Sequence, residues 1–161
     1  MKIRDVVIGL VVLALLVTAG LMVKKARIDK LAKLTAGPTT EQKIQDKFGG
    51  ITIPQDVDKA DLKDISGESG LGMVTRKYSD GKFEITILAD IPAPSAGYFY
   101  QGWILKDDSA FLSLGKLGIA KGGFILDFTS AKDYSDYKKV VVTLEKTLDQ
   151  SPEKSILEGS Y

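Results

Sequence analysis

The chain has 161 residues, with 22 Lys and Arg against 21 Asp and Glu, so its formal net charge is +1. It contains neither Cys nor His. This excludes a disulfide framework, a thiol nucleophile, a His-based metal site and an imidazole base. The near-neutral charge gives no general attraction for nucleic acid.

A short tail, residues 1–5, precedes an uncharged apolar run from Val6 to Val23. At 1.5 Å per helical residue this run spans roughly 27 Å, close to the ~30 Å hydrocarbon core of a bilayer. We therefore predict a single transmembrane helix over residues 6–23. A cleaved signal peptide is the alternative, although its apolar region is usually shorter.

Residues 24–69 are predicted to form a helical stalk and a linker. The stalk helix ends at Gly37-Pro38, because these residues interrupt a helix. A second, short helix is predicted over Glu41–Phe48. The linker, Ile51–Ser69, is charged and poor in apolar residues, with one turn of helix expected near Ala60–Asp64. Its Asp residues lack the spacing of a calcium-binding loop, so no metal site is predicted.

From residue 70 to residue 161 the apolar residues alternate with a period of two, which indicates β-strands. Asp80-Gly81 is a typical two-residue hairpin turn. The seven predicted strands are Met73–Tyr78, Phe83–Ala89, Gly97–Lys106, Phe111–Leu114, Phe124–Thr129, Lys139–Lys146 and Ile156–Glu158. This spacing predicts a mainly β domain, a small antiparallel β-sandwich of Ig-like architecture, with a closed barrel as the alternative.

The strand Gly97–Lys106 holds the only Trp of the chain. Because side chains alternate along a strand, Tyr98 and Tyr100 lie on the face opposite Trp103. Tyr98, Tyr100 and Trp103 are the candidate residues for a partner or ligand surface. The alternative is that they are core residues, as strand aromatics more often are. No catalytic, cofactor-binding or metal-binding constellation is visible.

Three blocks of the β domain occur in the order found in a known family. Tyr100-Gln101-Gly102-Trp103, then Ser113–Leu117, then Val142–Glu145 followed by Ser151–Lys154, resemble elements of the C-terminal domain of anti-sigma-K factors of the RskA type. The resemblance implies a domain outside the cytoplasmic membrane, behind a single membrane helix. It also implies a part in the transmembrane control of a sigma factor.

The flanking charges and the resemblance favour opposite orientations. More Lys and Arg residues follow the apolar run than precede it, which favours a cytoplasmic C-terminal side. The resemblance implies the reverse, and we adopt it: a cytoplasmic tail at residues 1–5 and an extracytoplasmic domain at residues 70–161. Only five residues precede the run, so we expect no N-terminal sigma-binding domain like that of the family.

We therefore predict a single-pass cell-membrane protein whose extracytoplasmic domain is a sensory or regulatory accessory. Its expected partner is another envelope protein, not nucleic acid, and its oligomeric state stays open. A structural or glycan-binding module of the cell envelope is the alternative. An enzyme is not expected, and neither is a cofactor.

Overall fold

The computed structural model describes Lys24, residues 37–107 and residues 110–161. The chain divides into two compact units, Met1–Thr39 and Thr40–Tyr161. Within the described part, no helix combines the length and the apolar character needed to cross a membrane. The predicted membrane helix, Val6–Val23, and the predicted stalk helix beyond Lys24 lie outside the described residues.

The described residues of the second unit form one α-helix and nine β-strands. Helix α1 spans Thr40–Lys47. The strands are β1 Asp58–Asp64, β2 Leu71–Ser79, β3 Lys82–Asp90, β4 Phe99–Leu105, β5 Phe111–Lys116, β6 Gly118–Ala120, β7 Gly123–Ser130, β8 Lys139–Glu145 and β9 Lys154–Ser160. The mainly β class is therefore confirmed.

All nine strands belong to one antiparallel sheet with the order β5-β4-β8-β9-β1-β2-β3-β7-β6. The two strands at its ends, β5 and β6, are consecutive in the chain and separated only by Leu117. β5 pairs with β4 and β6 pairs with β7, so one bent stretch of chain joins both ends of the sheet. The sheet is a nearly closed barrel. The two-sheet Ig-like sandwich is not confirmed, whereas the barrel named as its alternative agrees with this topology.

The principal hydrophobic core lies inside the barrel, because every strand of the barrel directs alternate side chains inward. On β3, for example, Phe83, Ile85 and Ile87 are buried while Glu84 is exposed. The interior is filled by apolar side chains from around the sheet, including Leu62, Val74, Ile104, Leu126, Val140 and Ile156.

A second apolar cluster lies on the outside of the barrel, beneath α1. Ile44 and Phe48 pack there against Met73 of β2 and Leu88 of β3. The helix lies within one residue of its predicted bounds. It ends at Gly49-Gly50, both of which have positive φ, the backbone conformation that glycine adopts most readily.

All seven predicted strands are present, and the turn at Asp80-Gly81 has positive φ at both residues, 54° and 74°. The helical turn predicted near Ala60–Asp64 is wrong, because this stretch belongs to β1. Ala60 and Leu62 point into the core, and the charged residues beside them do not. Because only two of its residues are apolar, the strand was not recognised from the sequence. The three-residue strand β6 was also missed, because so short a segment carries no clear periodicity.

The junction between β9 and β1 gives the first testable prediction. A Cβ atom added at Gly159 would lie 2.2 Å from the carbonyl oxygen of Asp61, closer than real Cβ atoms approach a backbone oxygen. We expect Gly159→Ala to destabilise the domain by about 1–3 kcal/mol, as overpacking usually does, in equilibrium denaturation of the full chain.

Gly118→Ala is the matched control, since its nearest neighbouring atom, the carbonyl oxygen of Ile125, would lie 3.7 Å from the added Cβ. We expect this variant to unfold close to the wild-type midpoint. Equal stability of the two variants would contradict the close approach of β9 to β1.

Candidate functional site

The three candidate aromatic residues lie in three different environments. Tyr98 is 41% exposed. Tyr100 points into the barrel, where its hydroxyl donates to the carbonyl oxygen of Pro92 at 3.0 Å and burial raises the pKa of the hydroxyl. Trp103 is fully buried on the outer side of β4. They therefore do not share one surface, and Tyr98 is the member of the set that a partner can reach.

Trp103 is held by one hydrogen bond and by apolar packing. Its Nε1–H donates to Oγ1 of Thr143 on the neighbouring strand β8, at 2.7 Å. The ring of Phe111 meets the indole edge-on, with the centroids 6.2 Å apart. Leu105 and Val141 complete the cluster. The indole is thus a structural anchor between β4, β5 and β8.

Buried polar side chains lie on the same outer face of β4 and β8. The Nε2–H₂ group of Gln101 donates to Oγ of Ser113 at 3.0 Å and to the carbonyl oxygen of Asp149 at 3.3 Å. Oε1 of Glu145 accepts from the backbone N–H of Glu153 at 3.0 Å. These contacts hold the segment after β8 against the barrel.

Together, Gln101, Trp103, Thr143 and Glu145 form the outer polar cluster, and all four are at most 1% exposed. They come from the first and third blocks of the sequence pattern, so these pattern residues contribute to packing in this structure. Two buried atoms of this cluster, Oε1 of Gln101 and Oε2 of Glu145, have no hydrogen-bond partner among the described residues.

The hydrogen bond between Trp103 and Thr143 gives a second prediction. Thr143→Val keeps the size of the side chain but leaves the indole N–H buried without an acceptor, which costs about 1–3 kcal/mol. We expect this loss of unfolding free energy in urea denaturation. Trp103→Phe and the double variant complete a double-mutant cycle.

The cycle separates the hydrogen bond from the change in packing. If the bond stabilises the cluster, Thr143→Val costs much less in the Trp103→Phe background, where no N–H remains to be satisfied. Additive effects of the two substitutions would contradict an energetic role for this bond.

The candidate binding site is a groove of about 380 Å³ between residues 51–57 and the outer face of β2 and β3. Its apolar lining includes Ile53, Leu88 and Ile125, which adjoin the packing beneath α1. Ile51, at its margin, is 36% exposed. The groove therefore offers apolar surface next to a well-packed layer, as ligand and partner sites usually do.

Charged side chains line the rim of this groove. Nζ of Lys77 donates to Oδ2 of Asp56 at 2.5 Å. This contact holds the pKa of Asp56 below its ordinary value and raises the pKa of Lys77. Lys77 also lies directly across the sheet from Glu84. A partner would meet positive and negative groups side by side.

A buried arginine supports the rim from within. Arg76 is 5% exposed, with Nε donating to Oδ2 of Asp58 at 3.2 Å and Nη1 to the carbonyl oxygen of Tyr137 at 2.5 Å. Its guanidinium lies 3.8 Å from the centre of the Tyr161 ring. The arginine thereby ties β1, β2 and the segment before β8 together beside the groove.

Sequence reasoning missed this groove, because residues 51–57 were assigned to the linker. The available signal was the apolar residues Ile51, Ile53 and Val57 in a charged stretch. It could have indicated contact with the β domain, but not which strands receive the segment. In the part of the chain that the structure describes, no group of three or more acidic side chains is placed to hold a metal ion.

Comparison with known proteins identifies one family. A family model described as the C-terminal domain of the anti-sigma-K factor RskA matches residues 7–156. No significant match was found among curated proteins or among solved structures. The family match covers most of the chain, including all the residues of the groove and of the outer polar cluster.

Proposed function

The chain belongs to the family of anti-sigma-K factor RskA C-terminal domains, and we propose that it is a membrane-anchored regulatory domain that binds a protein partner outside the cytoplasm. The family is one of regulatory, non-enzymatic domains related to anti-sigma factors. In this proposal the chain is anchored in the cell membrane by one helix, its β domain lies outside the cytoplasm, and its partner is another envelope protein.

The anchor is supported by the sequence and by the extent of the family match. The uncharged run from Val6 to Val23 is long enough to cross a bilayer as a helix. The match begins at residue 7, so nearly all of this run belongs to the matched region. Because this apolar run lies within the region that the family model matches, it supports a membrane anchor as part of the family's architecture.

The proposed binding role is based on the groove. It combines an apolar lining with an exposed isoleucine and charges of both signs at its rim. Protein interfaces commonly have this arrangement of an apolar centre and a polar rim. A glycan-binding module would be favoured by coplanar exposed aromatic rings, whereas Tyr100 and Trp103 are buried. We therefore adopt protein binding as the function.

The regulatory role predicts an effect on transcription. We expect deletion of the gene to change a defined set of sigma-dependent transcripts, measured by RNA sequencing. Ile51→Glu places a charge at the margin of the groove and is expected to weaken partner binding at least about tenfold, as at interface hot spots. It should therefore reproduce most of the deletion profile.

Leu148→Glu is the control, because Leu148 is 67% exposed and is not part of the groove lining. We expect it to behave as wild type. Unchanged transcripts after deletion would overturn the regulatory role. A deletion effect that Ile51→Glu does not reproduce, with the variant present at its normal level, would overturn the groove as the binding surface.

The location predicts a labelling pattern. The chain has no Cys, so Ser79→Cys beside the β2–β3 turn provides a single reporter. We expect a membrane-impermeant maleimide to label this variant in intact cells. Lys2→Cys, in the predicted cytoplasmic tail, should react only after lysis. The reverse pattern would place the β domain in the cytoplasm, as the flanking positive charges suggest.

A further inference from the structure

The hydrogen-bonded ladder of the barrel is interrupted between β5 and the C-terminal half of β7. β6 pairs with β7 only along Gly118–Ala120, opposite residues 123–125. The preceding residues, in β5, pair with β4 instead. Among the described residues, residues 126–130 of β7 therefore have a ladder on the β3 side only. We call the gap between residues 111–116 and 126–130 the seam.

The turn between β6 and β7 shows which backbone groups of β7 face the seam. Ala120 pairs with Gly123 across a two-residue turn, and the closing pair of such a hairpin exchanges hydrogen bonds. Bonding direction alternates along a strand, so Gly123 and Ile125 bond toward β6. By the same alternation, Asp127 and Thr129 direct their N–H and C=O groups toward the seam, where the described strands provide no ladder partner.

Apolar side chains of the core reach the seam from inside the barrel. Leu112 of β5 and Phe128 of β7 pack against the core but are only half-buried. Leu114 and Leu126, nearer the point where the strands meet, are buried. Along both strands, burial therefore decreases with distance from Leu117. The seam thus combines half-buried apolar side chains with backbone groups that have no ladder partner among the described strands.

We propose that an extended segment of a partner protein inserts into the seam as an additional strand between β5 and β7. Only another extended backbone matches the hydrogen-bonding edges of two strands. Because side chains of a strand alternate, the segment would have apolar residues facing Leu112 and Phe128 and polar residues facing outward.

A second copy of the chain is a poorer occupant. Each of the nine described strands already pairs within its own barrel, so a second copy would have to open its own sheet to donate one. A segment that is extended and unpaired in the partner loses no such pairing. This inference names a mode of recognition for the proposed partner-binding domain and rests on that function.

Peptide binding to the purified full chain tests the seam. The probe is an array of fluorescein-labelled nonapeptides with Val, Ile, Leu or Phe at alternate positions and Thr, Ser, Lys or Glu between them. We expect a subset to bind in fluorescence polarisation. Binding should slow amide hydrogen exchange at Asp127 and Thr129. An array in which no peptide binds would overturn the proposal.

Thr129→Pro removes a backbone N–H that faces the seam and leaves the ladder to β3 intact, a position where a strand tolerates proline. We expect at least tenfold weaker peptide binding with little change in the unfolding midpoint. Thr129→Val changes only the exposed side chain and should bind as wild type. Equal binding by all three proteins would overturn the proposal.

N-methylated peptides test insertion without altering the protein. In an extended peptide, the odd-numbered amides face one side and the even-numbered amides face the other. A peptide inserted between two strands uses both sets in hydrogen bonds, so N-methylation of either set should abolish binding. A peptide that adds to a single edge tolerates methylation of one set, and that result would overturn insertion. If no peptide binds while Ile51→Glu still reproduces the deletion profile, the seam fails and the proposed function stands.

Discussion

The barrel depends on the way the chain changes partner at Leu117. Its backbone N–H donates to the carbonyl oxygen of Tyr100 at 2.8 Å, and its side chain is buried in the core. Before this residue the chain pairs with β4, and after it with β7. One residue thus connects the two ends of a nine-stranded sheet and encloses the interior. Because of this change of partner, no ladder joins β5 to residues 126–130 of β7 among the described strands, and the seam lies there.

The family-like strand pattern and the groove have separate physical roles. Gln101, Trp103, Thr143 and Glu145 are buried where β4 meets β8, and the side chains of all four take part in hydrogen bonds. Such residues define the packing of a fold, because a buried polar group needs its partner. The groove is built mainly from the outer face of β2 and β3 and from the segment before β1. The buried pattern residues of β4 and β8 are therefore not the residues that line the groove.

Local patterns predicted most of the strands, but not how the sheet closes. The hairpin at Asp80-Gly81 depends on the φ preference of two adjacent residues, which any short stretch of sequence reveals. β1 was missed because its two inward residues, Ala60 and Leu62, stand among charges. The groove was not predictable, because it forms only where residues 51–57 lie against β2 and β3, and the sequence does not show that these segments meet. Contacts between segments distant in sequence leave no local period by which they can be recognised.

The sequence by itself determined the mainly β class, the absence of cysteine and histidine chemistry, the family resemblance and the opposite faces of Tyr100 and Trp103. The class, the missing chemistry and the opposite faces follow from composition and from the two-residue period of a strand, which are properties of neighbouring residues. The resemblance rests on three ordered blocks of residues in the β domain. Only the tertiary structure decided that the sheet is a nearly closed barrel and that Trp103 is buried outside the core. It also decided that a groove and a seam lie on its surface. Pairing between distant strands depends on how the whole set of apolar faces can be buried at once, and no single stretch of sequence contains that information.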